Sequence, residues 1–166
     1  MARDYQYNYS ELKPSLFNVQ KRERKADTMV RVCSDFAGAQ EIGKLTLLDV
    51  GSSNGIIDNY LADHFGEVYG IDIDEPAMLH AQNAFDKPNL HFMAGDAMAM
   101  SQPDNSIDVI VCAQVYEHVP DAQKMFREIH RVLKPGAFCY FAGNNRLMYM
   151  EPHYKLPFLS VIPRPL

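Results

Sequence analysis

This chain of 166 residues has few cysteines and no long apolar run. Its 3 cysteines, Cys33, Cys112 and Cys139, are odd in number and far apart, so neither a disulfide framework nor a zinc cluster is indicated. No apolar stretch approaches the roughly 18 residues that a membrane-spanning helix needs. The first residues are polar, so we expect no signal peptide and a cytoplasmic protein.

Positive charge is also in the minority. The formal net charge is −5, which argues against a nucleic-acid-binding face across the whole chain. The basic run at residues 21–25 is interpreted as a solvated helix face, with a patch for an anionic substrate as the alternative. The remaining composition, 47% hydrophobic and 22% charged, is typical of one globular domain with a real core.

The most informative stretch begins with a short strand and a glycine turn. Residues 45–50 form an apolar run without strict alternation, which predicts a strand buried on both faces, as in a parallel sheet. The run ends at residues 51–55, Gly-Ser-Ser-Asn-Gly, where two glycines allow a tight turn and the close approach of a ligand to the backbone. A helical pattern follows over residues 56–65, and a second strand over residues 67–71.

An acidic residue, Asp72, comes directly after that second strand. Such a strand, glycine turn, helix and strand ending in an acid form a nucleotide-binding half-unit, in which the acid accepts hydrogen bonds from two ribose hydroxyls. The alternative is that the glycines only serve a tight connection. A dinucleotide fold needs glycine at the first, third and sixth positions, which here are Gly51, Ser53 and Ile56, so a nicotinamide-dependent dehydrogenase is disfavoured.

A third strand over residues 90–94 ends at Gly95-Asp96-Ala97. An acid at the carboxyl end of a strand lies in the crevice where open α/β sheets bind ligands. Taken alone, however, Asp96 has the simpler interpretation of a solvated turn residue.

The most hydrophobic strand is predicted over residues 107–113, and Cys112 within it is interpreted as an inert buried thiol. Tyr116 and His118 follow its carboxyl end, where a reacting group would need to be. His118 is a candidate general base near neutral pH, and the alternative is that it only shapes the loop.

Helical patterns and stops complete the predicted order of elements. A helix is expected over residues 15–40 and another starting near Asp74, with proline in its first turn. A third, strongly amphipathic helix over residues 122–133 is stopped by residues 134–136, Lys-Pro-Gly, and residues 137–142 form a fifth strand.

Several of these stretches occur together in one known family. The order Asp49-x-Gly51-x-x-x-Gly55 resembles the first motif of class I S-adenosylmethionine-dependent methyltransferases, with Ser53 where that family most often has glycine. Gly-Ile-Asp-Ile-Asp, Gly-Asp-Ala, Glu-His-Val-Pro-Asp and Arg-Glu-Ile-His-Arg-Val-Leu-Lys-Pro-Gly follow in the family's order. Over residues 45–141 the set is similar to the small-molecule branch of the family, the type 11 group.

The resemblance implies a Rossmann-like three-layer α/β/α sandwich with a mostly parallel sheet. It divides the chain into an N-terminal helical or lid segment (residues 1–40), a cofactor-binding core (residues 41–143) and a proline-rich tail (residues 144–166). The family sheet has seven strands and only five are evident here, so the C-terminal strands are expected to be missing or atypical. The uncovered edge of the fifth strand then favours a homodimer.

The resemblance also implies a cofactor, S-adenosylmethionine, with S-adenosylhomocysteine as the product. Its amino-acid end is assigned to the first glycine turn, its ribose to the acid after the second strand and its adenine to the turn after the third. The residues assigned to cofactor binding are Asp49, Gly51, Ser52, Ser53, Gly55, Asp72, Ile73, Gly95, Asp96, Ala97 and Gln114. Tyr116 and His118 are the catalytic candidates, and no metal is expected, because Glu151 and His153 have no evident third partner.

Methyl transfer from a sulfonium is an in-line displacement, which requires alignment of the reactants and exclusion of water. No Asn/Asp-Pro-Pro-Tyr/Phe motif follows the fourth strand and no Pro-Cys pair occurs, so amino-group methylases and cytosine C5 methylases are disfavoured. A methyltransferase with a small-molecule acceptor is therefore expected. The alternative is a module that binds the cofactor without a complete acceptor pocket.

Overall fold

The structure, a computed structural model, describes Tyr7 and residues 18–143. The elements, in chain order, are α1 (Val19–Ala37), a 3-10 turn (Ile42–Lys44), β1 (Thr46–Val50), α2 (Ile56–Leu61), β2 (Glu67–Asp72), α3 (Glu75–Ala84), β3 (Leu90–Ala94), β4 (Ile107–Ala113), α4 (Ala122–Val132) and β5 (Leu133–Ala142). The interpretations of the proline-rich tail, of Glu151 and His153 and of the missing hairpin lie outside the described residues.

The five described strands form one parallel sheet in the order β3-β2-β1-β4-β5. The last residue of β1, Val50, is level with Ile71 in β2 and with Cys112 in β4, so the carboxyl ends of the three strands meet at one edge. The chain order reverses between β1 and β4, and ligand crevices of open α/β sheets form at such a switch point. The predicted Rossmann-like parallel sheet is confirmed.

Both faces of the sheet are covered by helices. Leu47 and Leu48 of β1 point to opposite faces, and neither has any exposed surface. On one face Leu47 joins a buried cluster with side chains of α1, α2 and α3, and on the other Leu48 packs with side chains of α4. The burial of both faces explains why these strands are continuous apolar runs, and the three-layer arrangement is confirmed.

Helix α1 is amphipathic and lies over the first face. Its buried residues, Ala26, Met29, Val30 and Cys33, recur every three or four positions, while most of the others are exposed. Asn18 caps its start by accepting a hydrogen bond from the Lys21 amide at 3.0 Å. None of the described helices combines the length and apolar character that a membrane crossing needs.

Element boundaries differ from the predicted ones at several places, first at helix α1, which ends at Ala37 and not near residue 40. Helix α2 ends at Leu61 and not near residue 65, because the chain continues in turns that still bury Phe65 and so preserve the apolar spacing. Strand β5 begins at Leu133 and not at residue 137. The Lys134 ammonium group binds both carboxylate oxygens of Asp108 at 2.8 Å, which ties the start of β5 to β4 through the predicted helix stop.

Candidate functional site

The glycine turn after β1 has a backbone that only glycine adopts at low cost. Gly51 and Gly55 have φ angles of 86° and 76°, in the left-handed region. A Cβ on Gly51 would collide with Val115, and a Cβ on Gly55 would lie 2.6 Å from Phe92 Cζ. The turn is therefore a bare backbone surface, closed from below by β3 and from the side by the loop after β4.

Two backbone amides of this turn already donate hydrogen bonds to β2. Gly51 and Ser52 both donate to the Ile71 carbonyl, at 2.8 and 3.1 Å. The Ser52 side chain is buried and its hydroxyl lies 3.7 Å from the sulfur of Met78. What Gly51 offers a ligand is therefore its carbonyl oxygen, and the Ser52 side chain faces the core.

Ser53 stands where the family most often has glycine, and it adopts the glycine conformation. Its φ angle is 55°, in a left-handed region that costs a residue with a side chain about 1–2 kcal/mol. Its amide donates to Asp72 Oδ2 at 2.8 Å. This hydrogen bond between the glycine turn and Asp72 stabilises the strained backbone conformation of Ser53.

Asp72 is held by two backbone amides. Besides the Ser53 amide, the Asp74 amide donates to its other oxygen, Oδ1, at 3.0 Å. Burial raises the pKa of Asp72, and the Asp74 and Ser53 amides oppose part of that rise. Each oxygen has a further lone pair, so the oriented carboxylate has the capacity to accept two more hydrogen bonds. Ile73 follows it, half-buried.

A buried acid that the sequence reasoning missed lies beneath the turn. Asp58 of α2 has no exposed surface, and its carboxyl group lies near that of Asp49, which is 4% exposed. Burial raises the pKa of Asp49 to about 7, and burial followed by the charge of Asp49 raises that of Asp58 well above its usual value. An available signal was the spacing of Asp58 three positions before Leu61 on the apolar side of α2, since both residues are buried.

The turn after β3 is compact. The Gly95 amide donates to the Asp72 carbonyl at 2.9 Å, which ties the ends of β2 and β3 together. Asp96 Oδ1 accepts from the Met98 amide at 2.6 Å, and its carbonyl accepts from the Ala99 amide. Ala97 is buried between them. The predicted adenine-end residues thus form one turn beside Asp72.

The loop after β4 connects the glycine turn with the end of β5. Gln114 is exposed and has a left-handed φ of 63°. Its backbone amide donates a hydrogen bond to the Ala142 carbonyl at 2.7 Å. Val115 packs on Gly51, whereas Tyr116 packs on Gly143 and its ring lies 5.7 Å from that of Phe141. His118 is half-buried and its amide donates to the Val115 carbonyl at 2.8 Å. Tyr116 is therefore placed toward β5, away from the acids of β1 and β2.

Within residues 18–143 no three His, Cys, Asp or Glu side chains are grouped as a metal site requires. Cys112 is buried, which raises the pKa of its thiol above the usual range and keeps it protonated.

The residues at the sheet edge fit an adenosine-type ligand with a charged amino-acid end. A side-chain-free cradle lies at Gly51 and Gly55, an oriented carboxylate at Asp72, and a second acid at Asp96. Two further buried carboxyl groups, those of Asp49 and Asp58, lie behind the cradle. Together they supply acceptors for hydroxyl and amino groups at one edge of the sheet.

Residues 48–141 match the family model described as "Methyltransferase domain". This chain belongs to that family. The match runs from within β1 to within β5 and confirms the resemblance inferred from the motifs. A methyltransferase-domain protein of this branch is expected to use S-adenosylmethionine.

Named relatives and solved structures agree with this membership. A "Ubiquinone biosynthesis O-methyltransferase" of Hydrogenovibrio crunogenus is 33% identical over 111 residues, which are 64% of this chain and 46% of that protein. An S-adenosylmethionine-dependent methyltransferase of Mesorhizobium loti is 26% identical with a TM-score of 0.61, over 68% of this chain and 52% of that one. The chain thus spans about half the length of the proteins it matches.

One similar structure has a different named activity. The [4+2]-cyclase SpnF is 25% identical with a TM-score of 0.62, over 69% of this chain and 44% of that one. The fold of this methyltransferase domain therefore also occurs in a protein named for another reaction, and function must be argued from the site.

Proposed function

We propose that this methyltransferase-domain protein binds S-adenosylmethionine at the carboxyl ends of β1–β4 and transfers its methyl group to a small-molecule acceptor in the cytoplasm. The observation that carries the proposal is the connection of Ser53 and Asp72. A strained turn is held by the carboxylate that the family motif assigns to the ribose. The named relatives, which are O-methyltransferases, support an oxygen atom as the acceptor.

In this proposal each part of the crevice has one task. Asp72 accepts hydrogen bonds from the ribose hydroxyls, and Asp96 with the Ala97 amide binds the adenine. Asp49 and the Gly51 carbonyl face the amino-acid end, and Gln114 lies beside it. The bare backbone from Gly51 to Gly55, with Ile73 and Gly95, shapes the walls.

The cofactor supplies an electrophilic methyl group on a sulfonium. The protein has to exclude water from the crevice and align the acceptor in line with the bond that breaks. A hydroxyl acceptor must also lose its proton, and we assign that task to His118, with Tyr116 on the acceptor side of the same loop.

A cofactor-binding module without methyl transfer is the second candidate. One observation favours it: a similar structure is named a [4+2]-cyclase. Binding experiments with methyl-transfer assays separate the two, since the module would bind S-adenosylmethionine without producing S-adenosylhomocysteine.

The proposed partner is a second copy of this chain, which forms a homodimer through the edge of β5. Phe141 in that strand is 44% exposed, and its ring meets that of Phe126, which is 43% exposed, at 5.3 Å. Exposed aromatic groups beside a strand edge favour pairing with another chain. Light scattering over a range of concentrations tests this, and a strictly monomeric protein would contradict it.

The experiment for the cofactor assignment is Asp72→Ala, with binding of S-adenosylhomocysteine followed by calorimetry. Loss of hydrogen bonds to a charged acceptor weakens binding by about 1.5–3 kcal/mol. The matched control is Asp35→Ala, which removes an exposed acid in the last turn of α1. Unchanged affinity in a folded Asp72→Ala protein would contradict the ribose assignment.

A further inference from the structure

The carboxyl group of Asp58 is a buried titratable group to which the proposed methyl transfer gives no task. The residue has no exposed surface. Apart from its own backbone amide, no donor in the described chain serves either of its carboxyl oxygens. An ionised carboxylate is strongly disfavoured in such a place, so the group holds or shares a proton.

Asp58 lies over a gap in β2. A Cβ on Gly70 would be 2.8 Å from Asp58 Oδ1 and 2.8 Å from Ser52 Oγ, so the missing side chain makes room for the carboxyl group. Gly70 is the register partner of Asp49 in β1. The carboxyl group of Asp58 thereby comes close to that of Asp49, and two neighbouring carboxyl groups away from solvent favour sharing a proton.

In the empty crevice the pair therefore holds at least one proton, as closely placed carboxyl groups commonly do. The charged and titratable groups that face it are Asp72 at the end of β2, Arg22 of α1 and Cys112 of β4. The negative charge of Asp72 favours retention of the proton by the pair, and the positive charge of Arg22 opposes it. The thiol of Cys112 stays neutral. The charge balance of the pair is therefore sensitive to a cation that arrives beside Asp49.

We propose that Asp58 is a positioning residue, which holds this proton against Asp49 and lets it go when the α-ammonium group of S-adenosylmethionine binds beside Asp49. The inference rests on the proposed function, because it needs the amino-acid end of the cofactor at Asp49. A cation there favours ionisation of the pair. One proton leaves to solvent, and the pair gains a negative charge that faces the ligand.

The sign of the pH dependence follows from this exchange. Each bound ligand displaces up to one proton, so binding tightens as the pH rises toward the pKa of the empty pair. The dissociation constant should fall by up to tenfold per pH unit between about pH 5.5 and 7, where an α-amino group is still charged. Above the pKa of the empty pair the dependence should disappear.

Titration calorimetry of the full chain with S-adenosylhomocysteine provides the measurement. Runs at pH 6.5 in buffers with different ionisation enthalpies give the number of protons released for each ligand bound, expected between about 0.5 and 1. In Asp58→Asn the amide donates to Asp49 permanently, so release and the associated pH dependence should both be lost. Asp49→Asn provides a second variant that removes the same exchangeable proton.

A ligand without the amino-acid end is the matched control. 5′-Methylthioadenosine keeps the adenine and the ribose, so any proton exchanged at Asp72 occurs with both ligands and cancels in the difference. We expect proton release with S-adenosylhomocysteine only.

Equal release with the two ligands, or release that persists in Asp58→Asn, would overturn the inference while the cofactor assignment stood. Failure of the folded protein to bind S-adenosylhomocysteine at all would overturn the proposed function and the inference together.

Discussion

The two halves of the crevice are built in different ways. On the side of β1, β2 and β3, backbone hydrogen bonds connect the turns to one another, from Gly51 to Ile71 and from Gly95 to Asp72. On the side of β4 and β5, the loop presents exposed Gln114 and half-buried Tyr116, and the neighbouring Phe141 and Phe126 are exposed aromatic side chains.

This difference separates binding from specificity. A ligand held by backbone turns and fixed carboxylates imposes the same geometry on every family member that uses it. An acceptor surface made of side chains at a strand edge changes with each substitution. The first half therefore carries the motifs assigned to the cofactor, and we propose that the second half selects the acceptor.

The largest expected effect is a loss of turnover caused by a substitution on the β4–β5 side of the crevice. His118→Gln should lower turnover roughly 10²–10⁴-fold, because the acceptor hydroxyl would lose its base, and it should leave cofactor affinity unchanged. The measurement is methyl transfer to an acceptor found by screening hydroxyl-bearing small molecules. His130→Gln, which changes an exposed histidine of α4, serves as the control. Near-normal turnover would assign His118 to loop structure.

Gly51→Ala tests the contact between the two halves, where Gly51 of the glycine turn packs against Val115 of the loop after β4. The new methyl group collides with Val115 and forces alanine to a φ of 86°, so the free energy of unfolding should fall by about 2–4 kcal/mol. Urea denaturation measures it. Adding Val115→Ala should relieve the collision but not the backbone strain. Full recovery in the double variant would show that the φ angle costs nothing.

The pH dependence of stability tests the buried acids of the cofactor half without a ligand. The pKa of Asp49 is raised to about 7 in the folded state, above its unfolded value, so the folded protein binds protons more tightly. The free energy of unfolding should therefore decrease by roughly 1–2 kcal/mol from pH 5 to pH 7. Asp58→Asn should make this profile flatter, and an equally steep profile would argue against a shared proton.

The smallest expected effect is a gain in stability when the backbone strain at Ser53 is removed. Ser53→Gly should raise the free energy of unfolding by about 0.5–1 kcal/mol, since glycine tolerates the φ of 55° but loses more conformational entropy on folding. Ser101→Gly, at an exposed position without a positive φ, should be neutral or destabilising. A loss of stability in Ser53→Gly would mean that the Ser53 side chain makes a needed contact.

The sequence by itself determined the binding half-unit. An apolar run buried on both faces, a glycine turn, a helix and an acid after the next strand are local patterns, and each reflects a requirement that neighbouring residues satisfy among themselves. Strands β3 and β4 were predicted with the bounds that the structure has, for the same reason. The roles assigned to the site residues remain predictions.

Only the tertiary structure decided which distant groups meet. The start of β5 at Leu133 depends on Lys134 reaching Asp108, and the packing of Val115 on Gly51 depends on β4 lying beside β1. The contact of Asp58 with Asp49 needs the space above Gly70 in a third element. Local patterns do not encode such contacts, because their free energy arises only when separate elements are packed together and water is excluded between them.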